Sequence, residues 1–174
     1  MIFRNAGRIV PAFLAAFLIS ACAADAAPPA PVPMSSAPAP SAVPSKLAGA
    51  WAVTSAKTNT AGIAAYLPDD PALLRLRLAV TGDSLAMDGH SCESPQITSE
   101  PVQFSALIQQ TYEVSPADMG VSSADETHTT NFITCGQGDI GPSYDRGSWI
   151  AEIGPDTIAM NWFDSVLLYL KKAD

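Results

Sequence analysis

Hydrophobic and polar positions alternate with period two over several stretches of this chain, and each such stretch ends in turn-forming residues. Leu74, Leu76, Leu78 and Val80 fall on one side of an extended backbone while Arg75, Arg77 and Ala79 fall on the other. Thr81-Gly82-Asp83-Ser84 then turns the chain into Leu85-Ala86-Met87, which predicts a hairpin. Near the C-terminus Trp149, Ala151 and Ile153 share a face, and Gly154-Pro155-Asp156 turns. Ile158, Met160 and Trp162 share the next face, and Phe163-Asp164-Ser165 leads into a strand over 166–171. Residues 47–56 and 127–135 are further strand candidates, whereas 106–112 and 116–120 favour helix. Asp69-Asp70-Pro71 reads as a helix or turn start. Asp70 can cap free N–H groups there, and Pro71 at the first helical position has no N–H to lose. The expected fold is mainly β: a small antiparallel β-barrel or strongly curved sheet of about eight strands, with one or two short helices. Closure or near-closure is the usual way for such a sheet to manage its edges.

The first 45 residues follow a different pattern. Arg4 and Arg8 precede an apolar run from Ile9 to Ile19 that is too short for a hydrocarbon core of ~30 Å. The run ends in Ile19-Ser20-Ala21-Cys22, which resembles the lipobox of bacterial lipoproteins. That resemblance implies cleavage of residues 1–21 and lipidation of Cys22, with the membrane engaged through the lipid anchor in the bacterial cell envelope. Ala23, standing where Asp would favour inner-membrane retention, points by the same resemblance to the outer membrane. Secretion with cleavage after Ala21-Cys22-Ala23 or Ala24-Asp25-Ala26 is the alternative. Residues 22–45 then form a linker: seven prolines (28, 29, 31, 33, 38, 40 and 44) and no aromatic residue leave it without the apolar surface to fold. Fully extended as polyproline II, it would reach about 70 Å. The folded domain is expected over 46–174.

Of the three cysteines, a lipidated Cys22 leaves Cys92 and Cys135 as an even pair in an oxidising compartment, which predicts one disulfide. The formal net charge of −8 becomes −10 once Arg4 and Arg8 leave with the signal. Such a domain is a poor partner for nucleic acid or for anionic lipid heads, while a cationic protein would be attracted to it.

Leu47-Ala48-Gly49-Ala50-Trp51 resembles the Gly-x-Trp signature of lipocalin-like barrels, which implies that Trp51 closes one end of a barrel. Asn131-Phe132-Ile133-Thr134-Cys135 and the hairpin through Asp156-Thr157-Ile158-Ala159-Met160 look like META-type domains of bacterial envelope proteins. Those domains carry Gly-Cys-Asn where this chain has Ser91-Cys92-Glu93. Trp51, Trp149 and Trp162 are the candidate binding residues for an apolar ligand.

Catalytic and metal-ligating patterns are weaker. Gly82-Asp83-Ser84-Leu85 with Asp125-Glu126-Thr127-His128 is similar to two blocks of the SGNH hydrolases, which would make Ser84 the nucleophile, His128 the base and Asp125 its orienter. Thr129 replaces the proline of that pattern, no Gly-x-Asn-Asp block follows, and Gly-Asp-Ser sits where a turn is wanted anyway. His90, Cys92, His128 and Cys135 carry ligand types suited to zinc, but at no tight spacing, and an oxidised cysteine pair offers no thiolate. No catalytic residue, metal or cofactor is therefore assigned. The sequence points to a non-enzymatic binding module for a small apolar ligand. The alternatives are an acidic inhibitor of a basic enzyme, such as a lysozyme or a protease, and an esterase using Ser84.

Overall fold

The computed structural model describes residues 43–59, 64–121, 125–143 and 146–173. Cys22 and the segment before Val43 lie outside the described residues. In chain order the elements are β1 (Gly49–Thr58), α1 (Pro71–Leu74), β2 (Arg77–Val80), β3 (Ser84–Met87), β4 (His90–Glu93) and β5 (Gln96–Gln103). There follow α2 (Phe104–Tyr112), β6 (Thr127–Thr134), β7 (Gln137–Gly138), β8 (Ser148–Gly154), β9 (Thr157–Trp162) and β10 (Val166–Lys172). The ten strands form one curled antiparallel sheet in the order β5-β6-β8-β9-β10-β1-β2-β3-β4-β7. The expected class, mainly β with two short helices, is what the chain adopts.

Ten strands stand where about eight were expected because two long runs are each broken once. Ser94, with φ of 50°, and Pro95 interrupt β4 and β5, while Cys135-Gly136 interrupts β6 and β7. The pairing does not slip at the breaks. Gln96 faces Thr134 on one side and Glu93 faces Gln137 on the other, in one register, with Gly136 N–H donating to the Glu93 carbonyl at 3.0 Å between them. The two ends of the sheet are thus parts of one ladder, and the sheet curls back on itself. Gly138 makes the far part of that ladder possible. At its φ of 76°, a Cβ would stand 2.0 Å from the Ser91 carbonyl oxygen. Pro101 sits in β5, whose one neighbour is β6, so its missing N–H disturbs no second ladder. The Cys92–Cys135 disulfide, with Cα atoms 5.0 Å apart, clamps the two runs together at the break.

The concave side of the sheet is filled. Trp51, Leu78, Leu85, Met87, Ile158 and Leu168 belong to a continuous buried cluster that draws on nearly every strand. The helix α2 lies on the convex side, where Phe104, Leu107, Ile108 and Tyr112 pack with Trp149, Ala151, Ala159 and Leu167 of β8, β9 and β10. Those three strands are consequently buried on both faces. Trp149 Nε1–H donates to Thr111 Oγ1 at 3.0 Å, and Tyr112 O–H donates to the Val166 carbonyl at 3.2 Å, so the polar tips of this second layer are satisfied.

Both ends of the curl are stoppered. At one end Val43 and Leu47 are buried, and the Leu47 carbonyl accepts from Trp51 Nε1–H at 2.8 Å. Lys46 pairs with Glu152 at 2.5 Å, Glu152 accepts from Asn131 Nδ2, and Asn131 Oδ1 accepts from Ser99 at 2.6 Å. At the other end the His90 ring lies 4.4 Å from that of Phe163 and 5.3 Å from that of Trp162, joining the β3–β4 and β9–β10 turns. Asp139 holds His90 Nδ1 at 2.5 Å.

Three expectations of local structure are corrected. The alternating run at 74–80 is a strand only from Arg77. Asp70 caps α1 through the Ala72 N–H at 2.8 Å, with Pro71 opening the helix, and this draws Leu74 out of the extended pattern. The segment 116–120 is a turn in which Val121 N–H reaches the Pro116 carbonyl at 2.8 Å, and Met119 is buried against α2. The strand expected over 47–56 runs instead from Gly49 to Thr58.

One disulfide closing a separation of 43 residues contributes roughly 4 kcal/mol by the chain-entropy model. We expect non-reducing peptide mapping to return the Cys92–Cys135 link. Replacing both cysteines by Ala should lower the urea unfolding free energy by about 2 to 4 kcal/mol. An unchanged midpoint would show that the ladder register alone holds the two runs.

Candidate functional site

Among the described residues, one space open to a ligand lies outside the curl, in a cleft of about 480 Å³ between the start of α2 and the β1–β10 pair. Its floor is a product of strand register. A bulge between Val53 and Ser55 adds one residue to β1, so that Val53 and Ala56 point inward while Ser55 and Lys57 point outward. Ser55 stands opposite Tyr169 of β10, which lies on the same convex face. Ile153 of β8, Phe104 at the head of α2, and the Gly120-Val121 turn supply apolar walls, and Glu126 and His128 at the start of β6 complete the rim.

Asp69 fixes the polar floor from below. Its Oδ1 accepts the Ala56 N–H and the Ser55 hydroxyl, each at 2.8 Å, and its Oδ2 lies 4.0 Å from Lys57 Nζ. The backbone N–H bond, the Ser55 hydroxyl and the Lys57 charge together hold its carboxyl below the ordinary value, against a smaller desolvation effect. On the rim, His128 is largely covered and meets the Phe104 ring edge-on at 5.7 Å. Its Nε2 lies 3.7 Å from Glu126 Oε2. Burial pushes the Tyr169 phenol, neutral at physiological pH in any case, up to about 12. The cleft therefore offers an apolar wall, a neutral phenol, a hydroxyl, and two charged groups that each face a partner.

Of the residues singled out from sequence, His128 lines the cleft and the others that are described lie elsewhere. Trp51 and Trp162 are buried in the concave cluster and Trp149 in the layer under α2. Ser84 is the first residue of β3, and its hydroxyl and N–H are both engaged by Thr81 Oγ1 at 2.9 Å. It pairs with Glu93, nine positions along the β4–β5 run from Val102, the residue opposite His128. Ser84 and His128 are therefore not brought together, and Asp125 has no described bond to His128. His90 and His128 lie in separate clusters, and Cys92 and Cys135 are joined to each other. The cleft residues Ser55, Lys57 and Tyr169 were missed. The available signal was their outward place in strands whose other face is apolar.

Asp69→Asn, which retains a residue tolerant of its φ of 54°, should cost about 0.5 to 1 kcal/mol at neutral pH, a charged-acceptor increment discounted for its exposure. The sign follows from a lowered folded-state value. The contribution is complete above the ordinary value of 3.8 and is lost as pH falls through the lowered folded value, so the two proteins should converge in acid below it. Urea titrations at neutral and acid pH measure this, and a gap that persists in acid would assign the effect to shape and not to charge.

Comparison of the chain with protein-family models, with curated proteins and with solved structures finds no match.

Proposed function

We propose that this chain is a lipid-anchored protein of the bacterial envelope that acts as a non-enzymatic binding module and takes its ligand on the convex side of the sheet. One observation carries the reading. The concave side is occupied by the protein's own side chains and stoppered at both ends, while the cleft beside α2 combines apolar walls with hydrogen-bonding groups in the manner of small-molecule sites. The anchor rests on the lipobox resemblance at Cys22, with the proline-rich segment as tether. The binding role rests on the cleft, whose polar groups are engaged in bonds that order them and are not arranged as nucleophile and base.

Two experiments test the parts separately. Cys22→Ser should abolish lipid labelling and release the protein from the membrane fraction, because the apolar run before it is too short to span. Unchanged processing and fractionation would end the anchor reading. For the cleft, the uncharged fluorophore N-phenyl-1-naphthylamine should bind the protein with enhanced emission. Ile153→Glu should weaken that binding about tenfold by placing a charge against the apolar wall, with little change in melting temperature. Binding that ignores this substitution would place the ligand outside the cleft.

A further inference from the structure

Which head group the cleft accepts can be inferred from how its charges are already matched. Lys57, the one cation lining it among the described residues, has the Asp69 carboxylate at 4.0 Å. Asp69 in turn spends one oxygen on the Ala56 N–H and the Ser55 hydroxyl. Glu126 stands with its side chain 74% exposed, the His128 ring 3.7 Å away, so its charge is solvated and not directed into the depth. Phe104, Ile153 and Tyr169 give the cleft its apolar and aromatic lining. A charged head group entering there would lose its hydration and find Lys57 already facing Asp69 and Glu126 turned to solvent. An uncharged one loses less and meets the Tyr169 phenol, a neutral donor and acceptor on the cleft lining.

Resting on the assignment of the cleft as the binding site, we propose that its ligand is an uncharged amphiphile: an apolar chain or ring laid on Phe104 and Ile153, with a neutral hydroxyl- or carbonyl-bearing head at Tyr169 and Ser55. The net charge of −8 sets a contrast. Long-range attraction alone would favour a cation, so a preference for a neutral head has to come from the cleft.

Three probes with one tail and different heads decide the matter: decyl glucoside, decanoate and decyltrimethylammonium, each kept below micelle formation and used to displace N-phenyl-1-naphthylamine from the full protein. Decyl glucoside should displace the fluorophore at about tenfold lower concentration than either charged probe, the scale expected for desolvating a charge in a partly open site. Tyr169→Phe should weaken decyl glucoside by about fivefold, the loss of one hydrogen bond, and leave the charged probes unchanged. Lys57→Met should strengthen decyltrimethylammonium selectively, because Asp69 is then left without its cation. That change of preference would not follow from a general loosening of the fold. Equal displacement by all three, or a charged probe ahead, overturns the neutral-head inference while leaving the cleft assignment intact. If the fluorophore binds but none of the three displaces it, or if Ile153→Glu does not affect it, the cleft assignment fails as well.

Discussion

The register shared by the two broken runs, 90–103 and 127–138, is the constraint on which the rest of the structure depends. Because Glu93–Gln137 and Gln96–Thr134 belong to one ladder, the sheet must bring β3 and β8 to opposite flanks of that ladder, and the curl follows. Gly138 permits the close backbone approach at one end of the ladder. The Cys92–Cys135 link sits at the break, where hydrogen bonding is thinnest. The concave core is then fixed in volume, and Trp51, Met87, Met160 and Trp162 fill it. The cleft lies outside that core, on the convex side, where α2 leaves a gap beside β1 and β10.

The sheet's two faces also explain why β8, β9 and β10 carry few polar residues. Each is covered by the concave cluster on one side and by α2 on the other, so Ala151 and Ala159 are as buried as Ile150 and Ile158. Ser148 and Asn161 are exceptions and both are bonded: Ser148 Oγ donates to the Pro142 carbonyl at 3.1 Å, Asn161 Oδ1 accepts the Trp149 N–H at 2.8 Å, and Asn161 Nδ2 donates to the Gly147 carbonyl at 2.6 Å. A buried amide in that position ties the loop before β8 to β9 and keeps the strand ends aligned.

Much of this was legible in the sequence, and what was not has physical reasons. The closing meander could be read because Gly154-Pro155-Asp156 and Phe163-Asp164-Ser165 separate strands dense in Ile, Leu and Val, and the Asp70-Pro71 helix start followed from capping chemistry alone. The strands β4 and β5 were not read. They bury little beyond Cys92, Pro95 and Ile97, so their periodicity is faint, and their pairing is specified by β6 and β7, which lie far along the chain. The run from Leu74 misled because leucines in a capping turn can mimic the spacing of a strand. Tryptophans drew attention as candidate binders, yet in a sheet this tightly curled a large ring is the most economical filler. The cleft was invisible for the opposite reason: Ser55, Lys57, His128, Ile153 and Tyr169 become neighbours only after the curl has formed.

The first and last described segments meet at the end of the curl stoppered by residues 43–47. Trp51 faces Lys172, and Ala173 N–H donates to the Ala50 carbonyl at 2.8 Å. Any pull transmitted through the residues before Val43 therefore acts first on the stopper and then along the axis of β1, which is bonded on both sides, to β10 and to β2. Such a load would shear several hydrogen bonds together and not peel them one at a time. The cleft, which draws on Ser55 and Lys57 toward the far end of β1 and on Tyr169 of β10, lies beyond those hydrogen bonds, so a load entering at Val43 would meet the ladder before it met the cleft.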